Sequence, residues 1–212
     1  MLYFSALLIS LILSLIFTPF VIKFAFKAGF IDKPGRRKIN RRAVPTAGGT
    51  AIYFSFIITL LIFMPLNRTV EGIIIGGTLM LILGLIDDKF ELSAPVKFLG
   101  QIAAASILIF YGMEIEFITN PFGGLFFLGV YSAPFTVFWI VSITNTINLI
   151  DGLDGLAAGV SVIAVLTLFS VGLQENQLTA SMLAVIMAGS CLGFLKYNFN
   201  PARIFMGDTG AM

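Results

Sequence analysis

The stretch NTINLIDGLDGLAAG, from Asn145 to Gly159, lies between two long apolar runs and decides how the rest of the chain is interpreted. It carries four amide or carboxylate side chains at intervals of three, namely Asn145, Asn148, Asp151 and Asp154. One ionisable side chain at membrane depth costs about 2.5–3.5 kcal/mol, so four polar residues beside apolar runs require a reason. This cluster therefore indicates a functional site.

Two glycines in the same stretch predict a break between two helices. In a regular helix each step of three residues falls about 60° short of a full turn, so the four side chains would not share one face. Gly152 and Gly155 permit a turn, which separates a spanning helix at 134–150 from another at 156–173. The alternative is an ordinary turn in which one or two of the polar residues cap the second helix.

Composition indicates an all-α integral membrane protein. Of the 212 residues, 58% are hydrophobic and 11% are charged, and the apolar runs are long enough to span a bilayer as helices. Cys191 is the only cysteine and the chain has no histidine, which excludes an internal disulfide and a Cys/His metal site. Any metal must therefore be held by oxygen atoms.

Seven apolar runs predict a polytopic transmembrane helical bundle that forms one integral membrane domain over residues 1–212. The predicted spans are at about 2–22, 47–64, 70–86, 95–111, 134–150, 156–173 and 178–195. Between Lys23 and Arg42 the chain carries eight Lys or Arg residues and one acid, so this loop is predicted to be cytoplasmic and the N-terminus outside. Alternating the sides puts every Asp on the cytoplasmic face, where we expect the chemistry.

A second polar cluster contains adjacent carboxylates, Asp87 and Asp88, at the end of the third span. Neighbouring carboxylates repel each other unless a cation lies close to them, which favours an active site over a structural role. Lys97 and Gln101 follow on one face of the fourth span. The alternative is a solvated helix end, although acids at a helix C-terminus oppose its dipole.

Two further polar clusters lie on the same predicted cytoplasmic face. In the first cytoplasmic loop, Thr46 lies before Gly48 and Gly49, where it can cap a helix or donate to a ligand. The basic residues of that loop have a simpler explanation as a topology signal with attraction to anionic lipid. The last cluster places Asp208 between glycines, after Asn198 and Arg203, and Arg203 can equally be a topology signal.

These clusters together offer carboxylates, amides and a lysine at the boundary between lipid and water. Mg²⁺ prefers one or two carboxylates, water and substrate phosphate oxygens, so the set suits transfer of a phosphate-linked group to or from a lipid. The sequence contains no Ser-His-Asp arrangement, dinucleotide-binding glycine fingerprint or P-loop.

Four motifs occur in one order: PTAGG at 45–49, the DD pair with K-x-x-x-Q at 87–101, N-x-x-N-x-x-D-G-x-D-G-L-A-x-G at 145–159 and N-x-x-PA-x-x-F-M-G-D-T-G at 198–210. Together they resemble the motifs of the polyprenyl-phosphate N-acetylhexosamine-1-phosphate transferases, a type of family 4 glycosyltransferase. The short gap between Asp88 and Lys97 resembles the branch that uses undecaprenyl phosphate and N-acetylglucosamine-1-phosphate.

The resemblance implies a reaction with two substrates. The phosphate of a polyprenyl phosphate attacks the β-phosphorus of a UDP-N-acetylhexosamine, which yields a polyprenyl-diphosphate-sugar and UMP with Mg²⁺, or Mn²⁺, as cofactor. This is the priming step of cell-envelope glycopolymers such as teichoic acid or lipopolysaccharide. It implies a bacterial or archaeal cytoplasmic membrane, with the active site facing the cytoplasm and no nucleic-acid partner, and leaves a homodimer open.

Residue roles are implied by the same similarity. Asp208 would bind the metal, while Asp87 and Asp88 would position or deprotonate the lipid phosphate and help to hold the metal. The remaining substrate-binding residues would be Asn145, Asn148, Asp151 and Asp154 around the nucleotide sugar, Thr46, Asn198 and Phe205 on the uridine side, and Lys97 at a phosphate.

Two departures from the family's pattern leave alternatives open. Asn40 stands where family members often carry a histidine, and the family continues beyond its last motif, so the resemblance implies a C-terminally short chain. One alternative is therefore a truncated, non-catalytic relative that binds polyprenyl phosphate or a partner. A phospho-muramoyl-pentapeptide transferase and an ion or proton transporter are further alternatives, although a transporter would spread its acids through the bilayer.

Overall fold

The computed structural model describes residues 1–32, 34 and 42–212, and Asn40 lies outside them. Seven long helices account for most of the described chain, and an eighth is short. They are α1 (Leu2–Ala28), α2 (Gly49–Phe63), α3 (Arg68–Phe90), α4 (Ala94–Phe110), α5 (Ser132–Ile150), α6 (Leu156–Gln174), α7 (Leu178–Asn198) and α8 (Asp208–Ala211). The predicted helical membrane bundle is confirmed, whereas the outside N-terminus and the single domain stay predictions.

Five of the helices are long and apolar enough to cross a bilayer, and α2 and α4 are shorter apolar helices. At 1.5 Å per residue the 15 residues of α2 reach about 22 Å, less than the roughly 30 Å of a hydrocarbon core. Helices α1 and α3 exceed their predicted lengths the most. Helix α1 continues to Ala28 and is capped by Gly29, whose φ of 81° is a conformation that favours glycine. Helix α3 includes the Asp87–Asp88 pair in its last turns.

Helix α7 is the most enclosed of the long helices and packs between α1 and α6. Small side chains let α1 and α7 approach closely, because the buried face of α1 carries Ser10 and Ser14 opposite Gly189 and Gly193 of α7. A Cβ atom at Gly193 would lie only 2.5 Å from the backbone oxygen of Leu11. This small-residue contact is typical of helix pairs in membranes, where apolar burial alone does not drive association.

Two short hairpins complete the described structure. Strand β1 (Ile31–Asp32) pairs with β2 (Val44–Pro45), and β3 (Phe117–Thr119) pairs with β4 (Leu125–Phe127), each in antiparallel register. The β3–β4 hairpin was not among the predicted elements, since it lies between the predicted spans at 95–111 and 134–150. A 3-10 turn (Gly129–Tyr131) leads from this hairpin into α5.

Candidate active site

Acidic residues converge at one end of the bundle, where α3 and α5 finish and α4 and α8 begin. Asp87 is 2% exposed, and one of its carboxylate oxygens accepts a hydrogen bond of 2.7 Å from the backbone N–H of Leu92, just after α3. Its other oxygen forms an ion pair with Lys97. The same Lys97 Nζ lies 3.4 Å from a carboxylate oxygen of Asp208, so the lysine joins two acids that are far apart in sequence.

Asp88 holds the Gly-Asp-Thr-Gly turn against α3. Its Oδ1 accepts a hydrogen bond of 2.9 Å from the backbone N–H of Asp208, and its Oδ2 accepts hydrogen bonds from the backbone and hydroxyl of Thr209. Gly207 has a φ of 70°, and a Cβ atom there would lie 2.6 Å from Asp88 Oδ2. A Cβ atom at Gly84 would lie 2.5 Å from the Cα of Thr209. The turn therefore contacts α3 directly.

The end of α5 reaches the same turn. The side-chain amide of Asn148 donates a hydrogen bond to a carboxylate oxygen of Asp208. Asp151 follows directly after α5 and lies in the same acidic environment. The pKa of Asp151 is raised to about 6, mainly by burial and also by the nearby charges of Asp208 and Asp88, while a hydrogen bond with the backbone of Gly207 acts in the opposite direction. Asp208 is thus in contact with Lys97 and Asn148, and its charge contributes to the raised pKa of Asp151.

The loop after α7 is held by two of the predicted site residues. A carboxylate oxygen of Asp154 accepts hydrogen bonds of 3.0 Å from the Asn200 side chain and 2.9 Å from the Ala202 backbone. The buried Asn198 donates a hydrogen bond of 2.9 Å to the backbone oxygen of Ile204. Both residues therefore shape the wall of the site, whatever they contact in a ligand.

The opposite wall is formed where the loop before α2 meets the chain around Phe205. The backbone N–H of Phe205 donates to Pro45 at 2.9 Å, and Gly48 donates to the backbone oxygen of Phe205 at 3.1 Å. The backbone of Thr46 donates to Phe30 at 3.0 Å, while its buried side-chain hydroxyl has no hydrogen-bond partner within the described chain. Thr46 is also part of the lining of the cleft.

These walls enclose a cleft of about 1070 Å³. Nine of the predicted site residues line it: Thr46, Asp87, Asp88, Asn148, Asp151, Asp154, Asn198, Phe205 and Asp208. Lys97 and Asn145 are outside this lining. Lys97 acts through the acids, whereas the Asn145 amide donates to Gln101 at 2.7 Å and to the backbone of Val141 at 2.8 Å. Asn145 therefore joins α4 to α5, and its predicted role in substrate binding stays a prediction.

Sequence reasoning assigned no role to Thr209 or Asn200, which hold the acids in place, nor to Arg42 and Glu91, which line the cleft. The positions of Thr209 and Asn200 could have indicated a role in the site, since both lie within the 198–210 motif, Thr209 directly after Asp208 and Asn200 two residues after Asn198. Their partners were not predictable, because Asp88 and Thr209 are 121 residues apart in sequence.

The donor set determines how a divalent cation can be held. In the described part of the chain no group of three acids forms a cation cage. Asp87 pairs with Lys97 and Asp88 uses both oxygens on the turn, whereas Asp208 and Asp151 line the cleft close enough for their charges to interact. Mg²⁺ in phosphoryl-transfer sites is commonly bound by one or two carboxylates, water and substrate phosphates, so this set fits such a cation.

Comparison with known proteins gives a consistent result. The sequence model of glycosyl transferase family 4 matches residues 70–212. The chain is 43% identical over 209 residues to a probable undecaprenyl-phosphate N-acetylglucosaminyl 1-phosphate transferase of Bacillus subtilis, an alignment that covers 98% of this chain and 58% of the relative. It is 36% identical to the decaprenyl-phosphate N-acetylglucosaminephosphotransferase of Mycolicibacterium smegmatis, covering 89% of this chain and 51% of the relative.

A third relative, the phospho-N-acetylmuramoyl-pentapeptide-transferase of Listeria welshimeri, is 32% identical over 93% of this chain and 66% of its own length. The chain thus spans between about half and two thirds of the length of these relatives. Similarity is greater to the two N-acetylglucosamine-phosphate transferases than to the muramoyl-pentapeptide enzyme.

Proposed function

Because the chain belongs to glycosyl transferase family 4, we propose that it transfers N-acetylglucosamine-1-phosphate from UDP-N-acetylglucosamine to undecaprenyl phosphate. An oxygen of the lipid phosphate forms a bond to the β-phosphorus of the donor, and the bond from that phosphorus to UMP breaks. The products are the lipid-diphosphate-sugar and UMP. The activities that the relatives' names state, transfer of N-acetylglucosamine phosphate to a polyprenyl phosphate, support the acceptor and the transferred group. We propose that this reaction starts the synthesis of a cell-envelope glycopolymer.

The observation that carries the proposal is the convergence of Lys97, Asn148 and Asp88 on Asp208 at the rim of the cleft. Phosphoryl transfer depends on positioning and on neutralising charge more than on covalent help from the protein. Lys97 of α4 and Asn148 of α5 contact the carboxylate of Asp208, while Asp88 of α3 holds its backbone N–H, so three helices fix the position of this residue.

The charge of the cleft supports a divalent cation. Its described lining contains seven acids, Asp32, Asp87, Asp88, Glu91, Asp151, Asp154 and Asp208, and one cation, Arg42. These acids disfavour a bound phosphate unless cations lie close to them, since like charges in a low-dielectric site repel each other. We propose that Asp208 holds Mg²⁺, or Mn²⁺, with Asp151 near it and Lys97 keeping Asp87 in place. When bound, the cation would neutralise the charge of the phosphates.

Two cavities next to the acids support the proposal of two substrates. The cleft of about 1070 Å³ is large enough for a nucleotide sugar, and we propose that Thr46 and Phe205 of its lining contact the uridine end. A second, mostly apolar cavity of about 450 Å³ lies between the helices and is lined by residues such as Phe56, Leu81, Leu108 and Thr209. Its position next to Thr209 suits the hydrocarbon end of a lipid phosphate.

The test is release of UMP from UDP-N-acetylglucosamine by the 212-residue chain in detergent, with and without undecaprenyl phosphate and Mg²⁺. We expect release only when both are present. Asp208→Asn should abolish it, whereas Glu175→Gln, in the exposed turn after α6, should leave it intact. Activity retained by Asp208→Asn would contradict the metal assignment.

Failure of a folded preparation to release UMP would instead favour the non-catalytic alternative. In that case binding of undecaprenyl phosphate without turnover should be measurable by a shift in thermal stability. Replacing the donor by UDP-N-acetylmuramoyl-pentapeptide separates the two transferase branches, and greater release from that donor would overturn the proposed sugar. We further propose that the acidic end faces the cytoplasm.

A further inference from the structure

The β3–β4 hairpin lies at the end of the molecule opposite the acidic cleft. Helix α4 begins near Lys97, which contacts Asp208, and α5 ends near Asn148, which also contacts Asp208. The hairpin joins the far ends of these two helices, and the 17 residues of α4 place it about 26 Å from the acids. It therefore takes no part in the proposed reaction.

Both faces of this hairpin are apolar and exposed. Phe117 pairs with Phe127 on one face, and Ile118 pairs with Phe126 on the other, because successive side chains of a strand point to opposite sides. All four are between 41% and 69% exposed. A hairpin in water would have one polar face, and a hairpin docked on a protein would need only one apolar face. Two apolar faces indicate apolar surroundings on both sides.

The composition of the segment agrees with this interpretation. Residues 117–131, FITNPFGGLFFLGVY, contain no charged residue, and Phe122 at the tip is 97% exposed. Tyr131 and Val130 follow at 70% and 88% exposed. Aromatic residues are enriched where a membrane protein meets the boundary between headgroups and acyl chains.

The depth of the hairpin follows from its backbone. A two-stranded ribbon has two open edges whose N–H and C=O groups have no partners in the ribbon, which is too costly in the hydrocarbon core. Its base is tied to the start of α5 by a hydrogen bond of 2.8 Å from the Ile115 backbone to Thr136, and α5 continues the apolar surface with the exposed Phe138 and Trp139. The ribbon therefore belongs at the interface, where water reaches its edges.

We propose that the β3–β4 hairpin is an interfacial membrane anchor, which lies in the headgroup region of the leaflet opposite the acidic cleft with lipid against both of its faces. The occupant is the lipid surface itself, because the exposed apolar side chains of the hairpin are continuous with those of α5 and the segment carries no charge that would select a partner. The anchor is independent of the proposed transfer reaction.

The test uses tryptophan as a depth probe in the full chain reconstituted in lipid vesicles. Trp139 is the only native tryptophan, so Trp139→Phe provides a silent background, and Phe126→Trp and Phe127→Trp place one probe on each face of the hairpin. We expect both probes to lose most of their emission in vesicles of lipid brominated near the carbonyl end of the acyl chain. Lipid brominated near the chain end should quench both less.

Three results would overturn the proposal. Quenching of either probe by aqueous acrylamide in preference to bromolipid would place that face in water. Protection of either probe from both quenchers would indicate that protein, from a second copy or another partner, covers it. Stronger quenching from the chain end than from the carbonyl end would place the hairpin in the hydrocarbon core. Far-ultraviolet circular dichroism confirms that each variant keeps its helices before the comparison.

Discussion

The carboxylate of Asp88, in the last turn of α3, accepts the backbone N–H of Asp208 at 2.9 Å. Together with the two hydrogen bonds from Thr209, this contact uses both oxygens of Asp88 to orient the residue that we propose to hold the metal. The two acids thus have different tasks, since one positions the turn and the other faces the cleft.

Replacing Asp88 by Asn should therefore destabilise the folded chain and reduce activity together. The asparagine amide keeps one oxygen acceptor, but its NH₂ group would face donors of Asp208 or Thr209. A buried donor left without an acceptor costs on the order of 1–3 kcal/mol of stability. Thermal unfolding followed by circular dichroism in detergent measures the loss. Thr209→Ser retains the hydroxyl and should remain close to the parent, whereas Thr209→Val should lose part of the stability. An unchanged melting temperature for Asp88→Asn would contradict this role.

Lys97→Met should destabilise the protein because it leaves the buried carboxylate of Asp87 without its cation. Removing one partner of a buried ion pair costs about 3 kcal/mol of folding stability, because the remaining charge is buried without compensation. The double variant Asp87→Asn/Lys97→Met should recover most of the lost stability, since neither charge of this pair remains. If the double variant is as unstable as the sum of the single ones, the two side chains do not act as a pair.

The raised pKa of Asp151 predicts that the stability of the folded chain depends on pH when divalent cations are absent. Its pKa is raised to about 6 in the folded chain from an ordinary value of 3.8, so between these values the folded state keeps a proton that the unfolded chain has lost. Stability from this group is therefore full below about pH 4 and falls as pH rises to about 6. Asp151→Asn should flatten this fall in thermal unfolding with EDTA present. Equal slopes in both proteins would contradict the assignment.

Gly84→Ala tests the contact between α3 and the turn that carries Asp208. The added Cβ atom would lie 2.5 Å from the Cα of Thr209, which is backbone and cannot move aside without shifting the turn. We expect a loss of stability of about 1–3 kcal/mol, as for other overpacked sites, and reduced activity. Gly159→Ala in α6 is the matched control, since its Cβ atom would meet nothing within 4 Å and Ala favours a helix. Equal behaviour of the two variants would remove the steric argument.

The orientation of the bundle can be checked by labelling single cysteines in sealed vesicles. Leu153 in the turn after α5 is 57% exposed and Phe122 in the hairpin is 97% exposed, while the native Cys191 is buried and should not react. An impermeant thiol reagent should label Leu153→Cys and Phe122→Cys from opposite sides, with Leu153→Cys on the cytoplasmic side. Labelling of both from one side would contradict the map of spans.

Much of the fold was predictable because its causes are local. Apolar runs of sufficient length form helices in lipid wherever they occur, since the backbone must satisfy its own hydrogen bonds there. The break at Gly155, whose φ is 75°, and the start of α6 at Leu156 follow from glycine and from the polar residues around it. Which residues carry the chemistry was also predictable, since polar groups beside membrane segments are costly and so indicate a site.

The class of the protein, the approximate positions of its seven long helices and the set of candidate acids and amides were therefore predictable from local sequence. Which of these side chains face the cleft depends on how the helices pack. Asn145 and Asn148 are three residues apart with the same side chain, yet Asn145 binds Gln101 between helices and Asn148 reaches Asp208. Such partners depend on how helices pack across more than forty residues of sequence, and local spacing carries no record of that packing.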